Sequence, residues 1–390
     1  MSLFHATCRT KTVVRNKKMT NEEKFKSKDF SIPLERDNED FIDFQKRIFS
    51  DFFENIDSFD GRLKDKILQV RPKIKTLADS IISSLESYVN GDTIEAYSRF
   101  ENGINQIKKH LLIKKGVTDI ESIKEPEEFY RARIGEGKLF SRNEMFHIPF
   151  ELRHFVNSQR YSLPGMPCLY LANSTYLCWE ELGKPDFDKI QFSRFDLTSG
   201  GFKFLNLNHT NHAISFFGFD KDGDVDEMAE YFVLQYLSTW PLQAAVSVIV
   251  KHRDHPFKPE YIIPQLLLQW VVNNQELDGI RFFSTKSNGT VPILHFSNLS
   301  NLVIPIKESK KEGLCEDLKK RIPLTNPVSY EYASLMIPQL SSEKLDTKEM
   351  RVSMKPITLK LHEDLTVAYE NTKFGQLERV LNGIESKNIK

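Results

Sequence analysis

An α+β domain behind a small helical bundle is the fold class this 390-residue sequence predicts, and three observations predict it. Between positions 41 and 111, apolar residues recur at helical spacing in successive runs. From about Thr118 onward the pattern shifts to short period-two runs, broken by Gly, Pro and Asn and interleaved with further helical runs. Hydrophobic residues make up 40% and charged residues 28%, a balance that suits a folded globular chain rather than a disordered one. The length accommodates two or three ordinary domains.

Residues 1–36 are polar, charged and aperiodic, and predict a flexible leader. Its basic positions (Arg9, Lys11, Arg15, Lys17, Lys18) are not followed by the apolar core of a secretory signal. A helical domain is expected over 37–117. Its first helix rests on Phe41, Phe44, Ile48, Phe52 and Ile56. The second carries a broad stripe of Ile74, Leu77, Ala78, Ile81, Ile82, Leu85, Tyr88 and Val89, and stops at Asn90-Gly91. Asp92 and Glu95 have the spacing of a capping box for the third, which uses Ile94, Tyr97, Phe100, Ile104, Ile107 and Leu111. Short connections make these a bundle, whose plainest role is scaffolding or dimerisation.

The α+β domain is expected over 118–308. Strands are predicted at 167–172, 189–195, 202–207, 279–284 and 301–306, with helices at 174–182, 226–239 and 260–274. A C-terminal extension over 309–390 holds a charged connector (Lys307 to Lys311), an alternating stretch at 354–362 and an amphipathic helix near 365–385. Its pattern suggests no role.

Formal net charge is +0, so bulk electrostatics drives the chain toward neither nucleic acid nor an anionic membrane. No apolar run approaches the ~20 residues that span a bilayer. Cys8, Cys168, Cys178 and Cys315 form no CxxC pair and read as free thiols in a reducing cytoplasm. Asp220, Asp222, Asp224 and Asp226 look like a calcium loop, but Val225 stands where its glycine belongs and Tyr231 where its bidentate glutamate belongs. That stretch reads as an acidic turn, and no metal site is expected. His147, His154, His252 and His255 lack metal-ligand spacing and read as structural or solvated. Walker A, GxGxxG and GxSxG motifs are absent, as is a compact Arg-x4-His ribonuclease motif.

Residues 170–180 carry the most chemistry. They read as a strand end, a polar turn and a helix in which Glu180 follows Tyr176, Leu177, Cys178 and Trp179. A carboxylate among large apolar groups is costly to bury unless something pairs with it. Upstream lies Phe129-Tyr130-Arg131-Ala132-Arg133. Downstream, Gly279-Ile280-Arg281-Phe282-Phe283-Ser284 is a strand ending in a hydroxyl, with Thr285 and Ser287 as neighbouring hydroxyls. Between them, Arg160-Tyr161-Ser162 leads into a Pro164-Gly165 turn and a strand to Tyr170. Against this stands a plain alternative: Glu180 as a surface helix residue like Glu181, and an arginine of the Arg131 and Arg133 pair as partner to a carboxylate elsewhere.

In Tyr130-Arg131, Arg160-Tyr161-Ser162, Tyr170-Leu171-Ala172, Glu180 and the Gly279-to-Ser284 strand, taken in order, the chain resembles the RES domain family, named for its Arg, Glu and Ser. The resemblance covers roughly 125–306, and the helical segment before it is similar to a module attached to some larger RES proteins. On the helix represented here by Tyr261-Ile262-Ile263-Pro264-Gln265, some RES proteins carry a serine where this chain has Gln265. The resemblance implies an ADP-ribosyltransferase-like RES domain preceded by a small all-α bundle. It implies consumption of NAD+ as substrate, with no resident cofactor, in a toxin that hydrolyses or phosphorolyses it.

It also assigns residues. Arg131, Glu180 and Ser284 become catalytic candidates, and Tyr130, Arg160, Tyr170 and Gln265 become NAD+-binding candidates. Cleaving the nicotinamide–ribose bond builds positive charge on the sugar, which a carboxylate stabilises, as in glycoside cleavage. The arginine fork suits the two phosphates. NAD+ and phosphate are the expected small-molecule partners. An antitoxin or regulatory protein on the helical module, and self-association, are the expected macromolecular ones. Two alternatives stay open: transfer of ADP-ribose to a protein or nucleic acid, and a non-catalytic interaction protein with a degenerate RES fold.

Overall fold

The computed structural model describes residues 19–390, apart from 112, 116–127, 136, 210, 212–213, 215–218, 220–226, 287–299, 341–357 and 363–364. The acidic run at 220–226 therefore lies outside the described residues. The described residues open with helix α1 (Asn21–Phe25), started by a reciprocal capping box between Thr20 and Glu23. Residues 19–36, within the expected leader, are built into the fold. Phe25 and Phe30 are 0% and 1% exposed. The Phe30 carbonyl accepts from the Tyr236 hydroxyl at 2.5 Å and the Trp240 indole N–H at 3.1 Å. Leu34 bridges to Val248. Two isolated aromatic anchors make no periodic pattern, so the sequence gives no sign of them.

The helical segment follows as α2 (Phe41–Asp57), α3 (Gly61–Val89) and α4 (Thr93–Gln106). Asp40 caps α2 by accepting from the N–H groups of Ile42 and Asp43, and Asp92 caps α4 by accepting from Glu95. Gly91, at φ 87°, turns the chain between α3 and α4.

An eight-stranded sheet comes next: β1 (Ile113–Lys115), β2 (Phe129–Ile134), β3 (Cys168–Ala172), β4 (Ile190–Phe195), β5 (Lys203–Leu207), β6 (Gly279–Phe283), β7 (Ser300–Pro305) and β8 (Val328–Ser329). Their order is β1-β5-β6-β7-β3-β2-β4-β8, with β5–β6 parallel and the other pairs antiparallel. β2 and β3 meet at a single register pair, Tyr130 with Ala172, so the sheet opens at that seam.

Short helices α5 (Arg142–Met145) and α6 (Thr175–Glu181), and longer ones α7 (Glu227–Val246) and α8 (Ile262–Asn273), cover the sheet. α7 runs past the expected end at 239 and contains Pro241. The C-terminal part contributes β8, α9 (Glu316–Arg321), α10 (Tyr330–Leu340), a hairpin of β9 (Thr358–His362) and β10 (Leu365–Ala368), and α11 (Lys373–Gly383). The helix expected over 365–385 is thus split. Its first residues pair with β9, and Thr372 caps α11 by accepting from the Gly375 N–H.

One continuous apolar core joins the helical segment to one sheet face: Phe52 stacks on Trp240 with ring centroids 4.4 Å apart, and Leu205, Ile280 and Val303 belong to the same cluster. The opposite face packs Phe129, Leu171, Phe204 and Leu302 with Phe146, Phe150 and Ile322. A third cluster binds α6 to α11 through Tyr176, Leu177, Leu377 and Leu381. The C-terminal part is accordingly core and sheet edge.

Candidate functional site

The ends of β3, β6 and β7 converge where α6 begins. After Ala172 the chain turns at Asn173, whose N–H and side-chain oxygen both bond the main chain of Ser300, at 3.0 and 3.1 Å. Ser174 then caps α6 by accepting from the Leu177 N–H at 3.1 Å. These turn bonds aim a helix with two consecutive glutamates, and successive residues on a helix point about 100° apart.

Glu180 turns back along its own helix. Its Oε1 accepts from the Tyr176 hydroxyl at 2.5 Å and from Lys184 Nζ at 3.0 Å. Glu181 is the one that faces the strand ends. Its Oε1 accepts from Ser284 Oγ at 2.7 Å and Asn301 Nδ2 at 2.6 Å. Its Oε2 lies 3.1 Å from Lys286 Nζ, which also donates to the Glu181 carbonyl at 2.6 Å. Ser284 and Asn301 are 5% and 6% exposed, so this carboxylate rests on sealed neutral donors.

Arg160 reaches the same place from the turn before β3. Its guanidinium donates to the carbonyls of Val246 and Val248, at 2.9 and 2.8 Å, and to Thr285 Oγ1 at 3.1 Å. It lies over the Tyr261 ring, 5.4 Å from the centroid. Burial pushes its pKa down, partly offset by the nearby Tyr161, Tyr261, Glu181 and Glu260. Gln265 supports this turn from α8, donating to Ser158 Oγ at 2.8 Å and the Gln159 carbonyl at 3.1 Å.

The Tyr170 hydroxyl is sealed without a well-formed hydrogen bond. Burial pushes its pKa well up, and Ser162, Tyr161 and Tyr261 are polar neighbours. Arg131 lies on β2, one residue past the β2–β3 seam pair and opposite Ser193 of β4. Its Nη1 and the Ser193 hydroxyl are both buried without partners. Burial, with Arg133 beside it, pushes the Arg131 pKa down to about 10, while Cys178 and Tyr170 act the other way. The Cys178 thiol lies within electrostatic reach of both Glu181 and Arg131.

The structure therefore gathers Ser284, Arg160 and Glu181, with Tyr170 beside them, while Arg131 lies within electrostatic reach of Tyr170 and Cys178. Two candidates lie elsewhere. Glu180 is bonded along α6, and Tyr130 points into the core beneath α11, donating to Glu128 Oε2 at 2.7 Å with Asn382 Oδ1 at 3.3 Å. Sequence reasoning passed over Asn301, Lys286 and Glu181 itself. Asn301 had a signal: a polar residue directly before the apolar run Leu302-Val303-Ile304 of a buried strand.

A cavity of about 310 Å³ adjoins Gln265, lined also by Tyr88, Ile94, Tyr97 and Leu163; Glu181, Ser284 and Arg160 are not among its walls. Among the described residues no group of three or more His, Cys, Asp or Glu is placed to hold a metal ion. No described helix is long and apolar enough to cross a membrane. Cys168, Cys178 and Cys315 are buried free thiols, in no disulfide. Chemically, the cluster is a carboxylate prepared for a cationic centre, with arginine charge nearby for an anion.

No family model matches the chain, and no solved structure matches it. It is 33% identical over 364 residues to a protein of Bacillus subtilis (strain 168) named "Putative toxin YopC", an alignment covering 90% of this chain and 78% of that relative.

Proposed function

The chain belongs to the family of the Bacillus subtilis protein named "Putative toxin YopC", and on that premise we propose that it is a growth-inhibiting toxin that degrades NAD+. The observation that carries the reading is the Glu181 carboxylate held by Ser284, Asn301 and Lys286, next to the buried guanidinium of Arg160.

In the proposed reaction the bond between ribose C1′ and the nicotinamide nitrogen breaks, and its electron pair leaves on neutral nicotinamide. Positive charge builds on the ribose ring, where a fixed carboxylate is most effective. Glu181 takes this role in place of Glu180. Arg160 and Arg131 offer permanent positive charge to the phosphates, and Tyr170 and Tyr261 offer rings to the nicotinamide half. An oxygen of water or phosphate then bonds to C1′ and sheds its proton, giving ADP-ribose or its phosphorylated form.

The test compares the purified chain with Glu181→Gln and Glu180→Gln, each mixed with NAD+ with and without phosphate, and analyses the products. Glu181→Gln is expected to lose about 10²–10³-fold in turnover, the usual scale for one preorganised electrostatic group. Glu180→Gln is expected to stay within a few-fold of the parent. NAD+ left intact by the parent protein overturns the reading. Label from NAD+ retained on macromolecules in a lysate replaces degradation with ADP-ribosyl transfer.

A further inference from the structure

We propose that the C-terminal segment 369–383 is a working part of the site, with Glu378 as a positioning residue for Glu181; the inference rests on the role given to Glu181 above. α6 has only seven residues, too few for a helix to hold itself in water. Its direction must come from what it packs on. Glu378, 2% exposed on α11, reaches the first turn of α6 from about 200 residues away in sequence. Its Oε1 accepts from the Thr175 N–H at 2.7 Å and from Thr175 Oγ1 at 3.1 Å. The same oxygen accepts from the Tyr369 hydroxyl at 2.7 Å, which fixes the carboxylate from the other side.

An aromatic contact repeats the linkage along the helix. The Phe374 ring lies 5.3 Å from Tyr176 and 5.5 Å from Trp179, centroid to centroid. The N-terminal turn of α6 is thus set by Glu378 and its flank by Phe374. Its last residue, Glu181, is carried onto Ser284 and Asn301. A helix this short moves as one piece, so a shift at Thr175 becomes a shift at Glu181. Misplacement by about 1 Å is enough to cost a reaction on the order of 10²-fold.

The experiment introduces Glu378→Ala and Glu378→Gln into the full chain, each with and without Glu181→Gln. It reads kcat and KM per folded molecule, Tm, and amide hydrogen exchange over residues 175–182. Glu378→Ala is expected to lower kcat about 10–100-fold with KM within about threefold, and to speed exchange in α6. Glu378→Gln keeps an acceptor for Thr175 and is expected to recover most of the loss. In the Glu181→Gln background, Glu378→Ala is expected to leave kcat within about twofold while lowering Tm as before. Losses in kcat that multiply instead assign Glu378 to general stability and overturn the inference, as does unchanged exchange in α6. Should Glu378→Ala fail to fold, Tyr369→Phe removes one bond to the same carboxylate and is held to the same outcomes. If the parent chain leaves NAD+ intact, it is the functional reading that has failed, and the exchange measurement still decides the role of Glu378.

Discussion

Glu180 and Glu181 are adjacent in sequence and identical in composition, yet only one meets Ser284. Sequence places a glutamate after an apolar run and cannot choose between neighbours about 100° apart. The turn bonds between Asn173 and Ser300 make that choice, together with Glu378 on Thr175. Ser284 and Arg160 stood out in the sequence because each closes or opens a recognisable strand or turn, and Arg131 because of the resemblance of the Tyr130-Arg131 pair. His147 is a second case decided by contacts. Its Nε2 accepts the Cys315 N–H at 2.9 Å and its Nδ1 lies 2.8 Å from the Ile148 carbonyl, an arrangement only the neutral ring with Nδ1 protonated can make. Burial pushes its pKa down to about 4, with Arg131 adding to the fall and the bond to Ile148 opposing it. Because the folded value lies below the ordinary one, the unfolded chain binds this proton first as pH drops. The contribution is whole above about pH 6.5 and is lost toward pH 4, amounting to roughly 3 kcal/mol. Denaturant midpoints measured between pH 7 and 4 should fall for the parent chain, and this part of the slope should vanish in His147→Gln.

Among the elements, the strands from β3 to β7 follow the sequence expectation closely because a buried strand declares itself by composition. α3 does not: its apolar stripe predicts a start near Ile74, yet the helix begins at Gly61 and runs through Pro72. Leu63, Ile67 and Ile74 are all buried, so packing along that face outweighs the cost of one proline. α3 and α4 then approach so closely that a Cβ on Gly103 would sit 2.5 Å from Ser80 Cβ and 2.8 Å from its Oγ. Gly103→Ala should therefore destabilise the protein by about 1–3 kcal/mol, although alanine is the better helix former. Urea unfolding of that variant measures the loss. A Ser80→Gly, Gly103→Ala pair, which removes the obstruction, should recover part of it.

At the scale of the molecule, the helical segment and the sheet share one core, and the N-terminal residues are its wedge. Phe30 touches both halves through Phe52 and Phe59 on one side and the Tyr236 and Trp240 bonds to its carbonyl on the other. Phe30→Ala should cost about 3–5 kcal/mol. The loss should appear as one transition, with far-ultraviolet circular dichroism and tryptophan fluorescence coinciding, because the helices and one sheet face share a single apolar core. Two separated transitions would show that the parts unfold independently.

By itself the sequence determined the type and order of most elements, since periodicity of apolar residues reports which side of a helix or strand avoids water. It also brought forward the arginine turn, the strand-end serine and the neighbourhood of the glutamate. Only the tertiary structure decided which glutamate enters the cluster, that Asn301 and Lys286 join it, and that residues 19–36 and the described C-terminal part are built into cores and the sheet edge. Those outcomes rest on single long-range contacts, such as Glu378 with Thr175 and Phe30 with Trp240, and a contact between distant residues leaves no period in the chain.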